Sequence, residues 1–161
     1  MIKNSIDFII KSSHFQIFKL IIIYFCRMNA KQVLRIAAIS GAIAVAFGAF
    51  GAHKLKELID EKSVLNWETG VKYQMLHTLA MLICGVLLML QPVKQLKTAA
   101  SLFLAGIICF SGSLYLLTTR TITGLSATFL GPITPIGGLL FIAGWLFLFV
   151  AVSKFTVPNK Q

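Results

Sequence analysis

Acidic residues are the scarcest chemical class in this 161-residue sequence, with five Asp and Glu against fifteen Lys and Arg. Charged residues together make up 12%, against roughly 25% in soluble domains, while hydrophobic residues reach 57% against roughly 45–50%. Mean hydropathy is +0.85. A water-soluble domain of this size has no interior large enough to hide that much apolar surface, so lipid must cover it. Cysteine is equally sparse. Cys26, Cys84 and Cys109 each lie inside apolar stretches, and none has a CxxC or CxxxH partner. That pattern offers neither a zinc site nor a disulfide framework and leaves three small buried apolar residues. There is no Gly-rich phosphate loop, HExxH helix or GxSxG elbow, and Ser111 and Ser113 have no His near them in sequence. No Asp or Glu interrupts the long apolar runs of the core region, so a carboxylate-coupled antiporter has no coupling residue.

The formal charge of +10 would suit nucleic acid only if it formed a patch on a folded soluble surface. Here the cations fall between and beside apolar runs, where lipid headgroups and insertion rules place them. The partner implied is the bilayer and not nucleic acid.

Four runs approach the ~20 residues needed to cross a bilayer core. They cover about Val33 to Ala52, Tyr73 to Leu90, Ala99 to Leu117, and a fourth (about 130–152) that starts between Phe129 and Ile136 and ends near Val152. The fold class expected is therefore all-α, an integral membrane four-helix bundle with up-down connections. Pro132 and Pro135 predict a kink or a loop-to-helix transition at the fourth span. The longest connection, His53 to Lys72, holds Glu57, Asp60, Glu61 and Glu68. Leu55, Leu58, Ile59, Lys62 and Leu65 recur there at near-helical spacing, which predicts a short amphipathic helix at the interface. Gln91 to Thr98 reads as a tight polar turn, and Thr118 to Thr123 as a hydroxyl-rich connection holding Arg120.

Residues 28–155 form the expected four-span domain, followed by a tail at 156–161. Residues 1–27 read as an N-terminal extension. Ile17 to Cys26 is apolar but too short to span, no small-x-small cleavage site follows, and Met28-Asn29-Ala30-Lys31 resembles an ordinary start. An upstream start codon is one reading of 1–27, and an interfacial anchor helix is the other. Counting Lys and Arg, one side holds Lys31, Arg35, Lys94, Lys97, Lys154 and Lys160, and the other Lys54, Lys56, Lys62, Lys72 and Arg120. Adding Lys3, Lys11, Lys19 and Arg27 makes the balance ten against five and puts both termini in the cytoplasm.

Small side chains are expected to seat the helices, because lipid gives them no hydrophobic reason to associate. Ser40, Ala44, Gly48 and Ala52 form one row on the first span, with Ala38, Ala42 and Ala46 beside it. Two smooth faces predict a central position for that helix. Ser101, Ala105, Cys109 and Ser113 repeat the device on the third span, and Gly137, Gly138 and Gly144 on the fourth. Phe141, Trp145, Phe147 and Phe149 read as lipid-facing or gap-filling groups.

Polar groups at membrane depth are costly and mark candidate sites. On the second span Gln74 and His77 share a face with Gly70, Met81 and Cys84. With the first two spans antiparallel, His53, Glu68, Gln74 and His77 could meet near the outer interface, where an imidazole can titrate, relay a proton or ligate a metal. The plainer reading gives Glu68 and Lys72 an i,i+4 pair, and Gln74 and His77 interhelical hydrogen bonds of roughly 0.6 kcal/mol each. Two histidines and one carboxylate fall short of a metal site, so no metal and no cofactor is assigned.

Several strings resemble a known family. Gly48-Ala49-Phe50-Gly51-Ala52-His53 closes the first span, and Trp67-Glu68-Thr69-Gly70-Val71-Lys72-Tyr73-Gln74-Met75-Leu76-His77 opens the second. Ser111-Gly112-Ser113-Leu114-Tyr115 ends the third, and Thr134-Pro135-Ile136-Gly137-Gly138-Leu139 opens the fourth. From about Lys31 to Phe155, in order and spacing, the chain resembles the small bacterial membrane proteins of domain of unknown function 423, similar to eukaryotic transmembrane protein 256. The resemblance implies four spans and an inner-membrane location, and brings no activity, substrate or cofactor. Three functions stay open. The first is a non-enzymatic structural or partner-binding membrane component, as a homo-oligomer or with another membrane protein. The second is a small oligomeric transporter or channel using the Gln74/His77 face, and the third a membrane enzyme with an outer His/Glu site.

Overall fold

The computed structural model describes residues 28–124 and 130–155. The extension at 1–27 and the tail at 156–161 lie outside the described residues. Four helices are long and apolar enough to cross a membrane. The first is α1, Ala30–His53, and the second α2, Glu61–Leu90. The third is built from α3 (Lys94–Gly106), a π-helical segment (Ile107–Ser111) and α4 (Gly112–Thr123), and the fourth is α5, Ile133–Ser153.

Local chemistry sets the ends. Asn29 caps α1 through a reciprocal pair: its side chain accepts from the Gln32 amide at 2.9 Å, and its own amide donates to Gln32 Oε1 at 2.9 Å. Asp60 caps α2 by accepting from the Ser63 amide at 3.0 Å and the Ser63 hydroxyl at 2.7 Å. Gly124 closes α4 at φ +67°, a backbone conformation that suits glycine. Pro132 sits at the N-cap of α5 and Pro135 in its first turn, where an amide has no intrahelical partner, so the prolines mark a loop-to-helix transition.

At ~1.5 Å rise per residue, the 30 residues of α2 reach ~45 Å, against ~30 Å for the hydrocarbon core. The charge-free part, Tyr73 to Leu90, matches the core and ends at the tight turn before Lys94. The charged residues of α2 all fall in the part that precedes it, Glu61 to Lys72. This changes the reading of the connection. No separate amphipathic helix forms over 55–65: Leu55–Glu57 makes a single 3₁₀ turn, and the chain from Glu61 onward joins α2. Likewise, Thr118 to Thr123 is the C-terminal end of the third helix and not a loop.

α2 occupies the centre. α1 packs along one of its sides and the third helix along another, while α5 packs against α3 and the π segment. In its most apolar window 44% of α2 is buried, against 22% of α1, so α1 is a flank and not the centre that its two smooth rows predicted. Only one α1 face is used. Val33, Ala37, Ser40, Ala44 and Gly51 are buried, Gly48 is half-buried, and Ala52 is exposed. Ala38, Ala42 and Ala46 are all exposed. The contact row thus drifts from a strict four-residue spacing to one alternating three and four, the seam of two long helices crossing at a shallow angle. On the fourth span Gly137 packs against the Phe110 backbone, whereas Gly138 is half-buried with open space where a side chain would stand.

The glycines that do pack act as sockets for rings. A methyl group on Gly106 would stand 2.5 Å from Phe141, and one on Gly144 would stand 2.6 Å from Phe103. The third and fourth helices therefore exchange phenyl rings reciprocally. Gly51 receives Trp67 and Gly70 receives Tyr115 in the same manner. Phe103 and Phe141 are buried in the main core, while Phe147 and Phe149 face outward.

Candidate functional site

The helical spacing of α2 buries Gly70, Gln74, His77, Thr78, Met81 and Cys84 in the middle of the bundle. Gln74, 4% exposed, points between α1 and the third helix. Its amide nitrogen donates to the Ser40 carbonyl at 2.9 Å, and its oxygen accepts from the Tyr115 hydroxyl at 2.8 Å. Beside it the Ser40 and Thr78 hydroxyls share a bond of 2.7 Å. One amide side chain thus ties three helices.

His77, 2% exposed, turns toward the fourth helix. Nδ1 lies 2.8 Å from the Tyr73 carbonyl, which only accepts, so that nitrogen carries the hydrogen. Nε2 is then an acceptor and receives the Trp145 indole N–H at 3.3 Å. The ring stacks on Phe141 with centroids 3.5 Å apart and planes 7° from parallel. Phe103 closes a further side at 5.6 Å. Both nitrogens of this imidazole thus have hydrogen-bond partners, inside an aromatic box.

The remaining helix contacts carry similar ties. Trp67 Nε1 donates to the Phe47 carbonyl at 2.8 Å, joining α2 to α1. Ser111, from the π segment, donates to the Gly70 carbonyl at 2.8 Å, and Ser113 meets Thr134 of α5 at 2.6 Å. The π segment lies where the third helix must meet both α2 and α5. Its wider turn presents Ser111 to one and the Phe110 backbone to the other.

The four residues expected to converge do not. Gln74 and His77 are buried and look in different directions, whereas His53 and Glu68 are exposed. Nine residues separate Glu68 from His77, ~13 Å along the helix axis. Among the described residues no hydrogen bond or ion pair joins His53 or Glu68 to the buried pair, and no three His, Cys, Asp or Glu could hold a metal ion. The Glu68–Lys72 pair is also not formed; the ion pair present among the described residues is Lys54–Glu57 at 3.3 Å, with both side chains exposed. Sequence reasoning missed the partners Thr78, Ser111, Tyr115 and Trp145. A signal for Thr78 and for the Ser111/Tyr115 pair was available, since each repeats a polar position four residues on.

A model of the family described as "Protein of unknown function (DUF423)" matches residues 47–138. The UPF0382 membrane protein YwdK of Bacillus subtilis is 40% identical over 126 residues, which cover 78% of this chain and 98% of that protein. A UPF0382 membrane protein of Staphylococcus aureus is 44% identical over 125 residues, with the same coverage. One from Haemophilus influenzae is 42% identical over 118 residues, covering 73% of this chain and 90% of its own. No solved structure matches. Four spanning helices, a family match over more than half the chain and relatives matched along nearly their whole length agree: this integral membrane protein belongs to the DUF423 family.

Proposed function

We propose that the protein is a non-enzymatic structural component of the bacterial inner membrane that binds another transmembrane helix along its first helix, with both termini in the cytoplasm. The observation that carries this reading is the state of the intramembrane polar groups. Gln74 and His77, the residues best suited to chemistry or conduction, spend their hydrogen bonds on neighbouring helices. A transport path along their face would need to break those ties, so the geometry weighs against the Gln74/His77 conduit. The outer His/Glu site loses its basis because His53 and Glu68 stay apart from the buried pair.

The exposed row Ala38, Ala42 and Ala46 supports a helix as the partner, since small residues four apart let a second backbone come close. The Lys and Arg balance supports cytoplasmic termini. A photoreactive residue at Ala42, in native membranes, tests the reading. Crosslinks to a defined protein band, stronger than from Phe149 on the outward side of α5, are the expected result. A lipid-only adduct at both positions would overturn it. A band at twice the chain mass would identify a second copy as the partner.

A further inference from the structure

The polar start of α2 and the polar end of α4 meet, with a cleft of about 360 Å³ between them. That volume lies in the ~300–1,000 Å³ range of small-ligand sites. Its wall carries Asp60, Lys62, Ser63 and Asn66 from the start of α2, and Arg120 and Thr121 from the end of α4.

The chemistry of that wall is specific. Asp60 and Ser63 are already joined to each other: the Ser63 hydroxyl and amide hold the Asp60 carboxyl below the usual carboxylate range. The side chains of Lys62, Asn66, Arg120 and Thr121 make no hydrogen bond or ion pair with any described residue. Four donor-bearing groups thus face one cleft with their hydrogen-bonding capacity open. Two cations against one carboxylate leave a single positive charge, and the guanidinium fork of Arg120 matches two oxygens of a tetrahedral anion. The same two helix ends carry apolar side chains, with Leu65, Leu116 and Ile122 each about half exposed.

We propose that this cleft binds a phosphate group carrying one negative charge, with Arg120 and Lys62 as its charge partners and Asn66 and Thr121 as neutral donors. The group could arrive on a phosphodiester lipid headgroup or as free phosphate. The net charge of the wall, with exposed apolar side chains on the same two helix ends, fits a headgroup whose acyl chains run into the bilayer. The site is independent of the α1 docking reading: its residues lie on α2 and α4.

The full chain, purified in mild detergent, tests it in two arms. Native mass spectrometry would compare retention of phosphatidylglycerol with that of phosphatidylcholine, and ³¹P NMR would titrate inorganic phosphate. Wild type is expected to retain the anionic lipid in preference, with affinity falling roughly tenfold or more in Arg120→Gln. Lys62→Gln should fall less, Arg120→Lys should lie between, and Lys31→Gln at the opposite end should match wild type. Preference for neither lipid, together with phosphate binding that Arg120→Gln abolishes, would support the site and assign it to the free anion. Equal lipid retention and equal phosphate response in wild type and the Arg120→Gln/Lys62→Gln double variant would overturn it. Arg120 and Lys62 are exposed, so loss of folding is not expected, and an unchanged helical circular dichroism spectrum checks this.

Discussion

Replacing Gly106 with Ala should destabilise the bundle, whereas the same change at Gly138 should not. A methyl group on Gly106 would meet Phe141 Cδ1 and Cε1 at 2.5 Å. The ring has nowhere to retreat, because it is 3% exposed and its stacking partner His77 lies at 3.5 Å. Overpacking of this kind costs ~1–3 kcal/mol, and a ring so held belongs at the upper end. Gaining Ala in a helix returns at most ~1 kcal/mol, so the net loss is ~2 kcal/mol. A methyl group added at Gly138 would have nothing within 4 Å, so only the propensity gain remains there. Unfolding in mixed micelles of mild detergent and dodecyl sulfate, followed by circular dichroism, would measure both variants. Adding Phe141→Leu to Gly106→Ala should recover part of the loss. If Gly106→Ala proved as stable as Gly138→Ala, the reciprocal ring-into-glycine packing of the third and fourth helices would be wrong.

Three further outcomes are expected. Asp60 has its pKa lowered by the Ser63 hydroxyl and amide, so its stabilising effect is present above the ordinary value of 3.8 and is lost as pH falls through the lowered one. Acid titration of helicity should therefore lose a component in Asp60→Asn. Cys84 is fully buried and Cys109 half-buried, so a small maleimide should label Cys109 faster in the folded protein, and equal rates would contradict the packing of α2. A fluorescent protein fused after Gln161 should fold and fluoresce in the cytoplasm, whereas an alkaline phosphatase fusion there should be inactive; the reverse pair would invert the assigned orientation.

The membrane architecture was legible because hydropathy and length are local properties of the chain. The spans at 73–90 and 99–117 were found, but their helices run on to Glu61 and Thr123, where polar residues continue the helix past the apolar run. Hydropathy detects hydrocarbon and not helix, so it stops at the boundary. The small-residue rows show a different limit. Sequence shows that Ala38 and Ala44 are both small, yet only the placement of α2 decides which is covered. Gln74 and His77 stood out as buried polar groups, and they are buried, but their partners on other helices come from 34 to 68 residues away in sequence. His53 and Glu68 were grouped with them by the nearness that antiparallel pairing of the first two spans would bring. A helix that carries Glu68 ~13 Å along its axis from His77 separates what that nearness suggested.

Buried polar side chains act in this bundle as ties between helices, and a double-mutant cycle at Gln74 and Tyr115 tests that most directly. Gln74→Leu, Tyr115→Phe and the pair together, measured by unfolding in mixed micelles, should give a coupling of roughly 0.6 kcal/mol and at most about 1.7 kcal/mol. Full stability kept in Gln74→Leu, or single-variant effects that add strictly in the pair, would contradict it and return Gln74 to the groups available for transport.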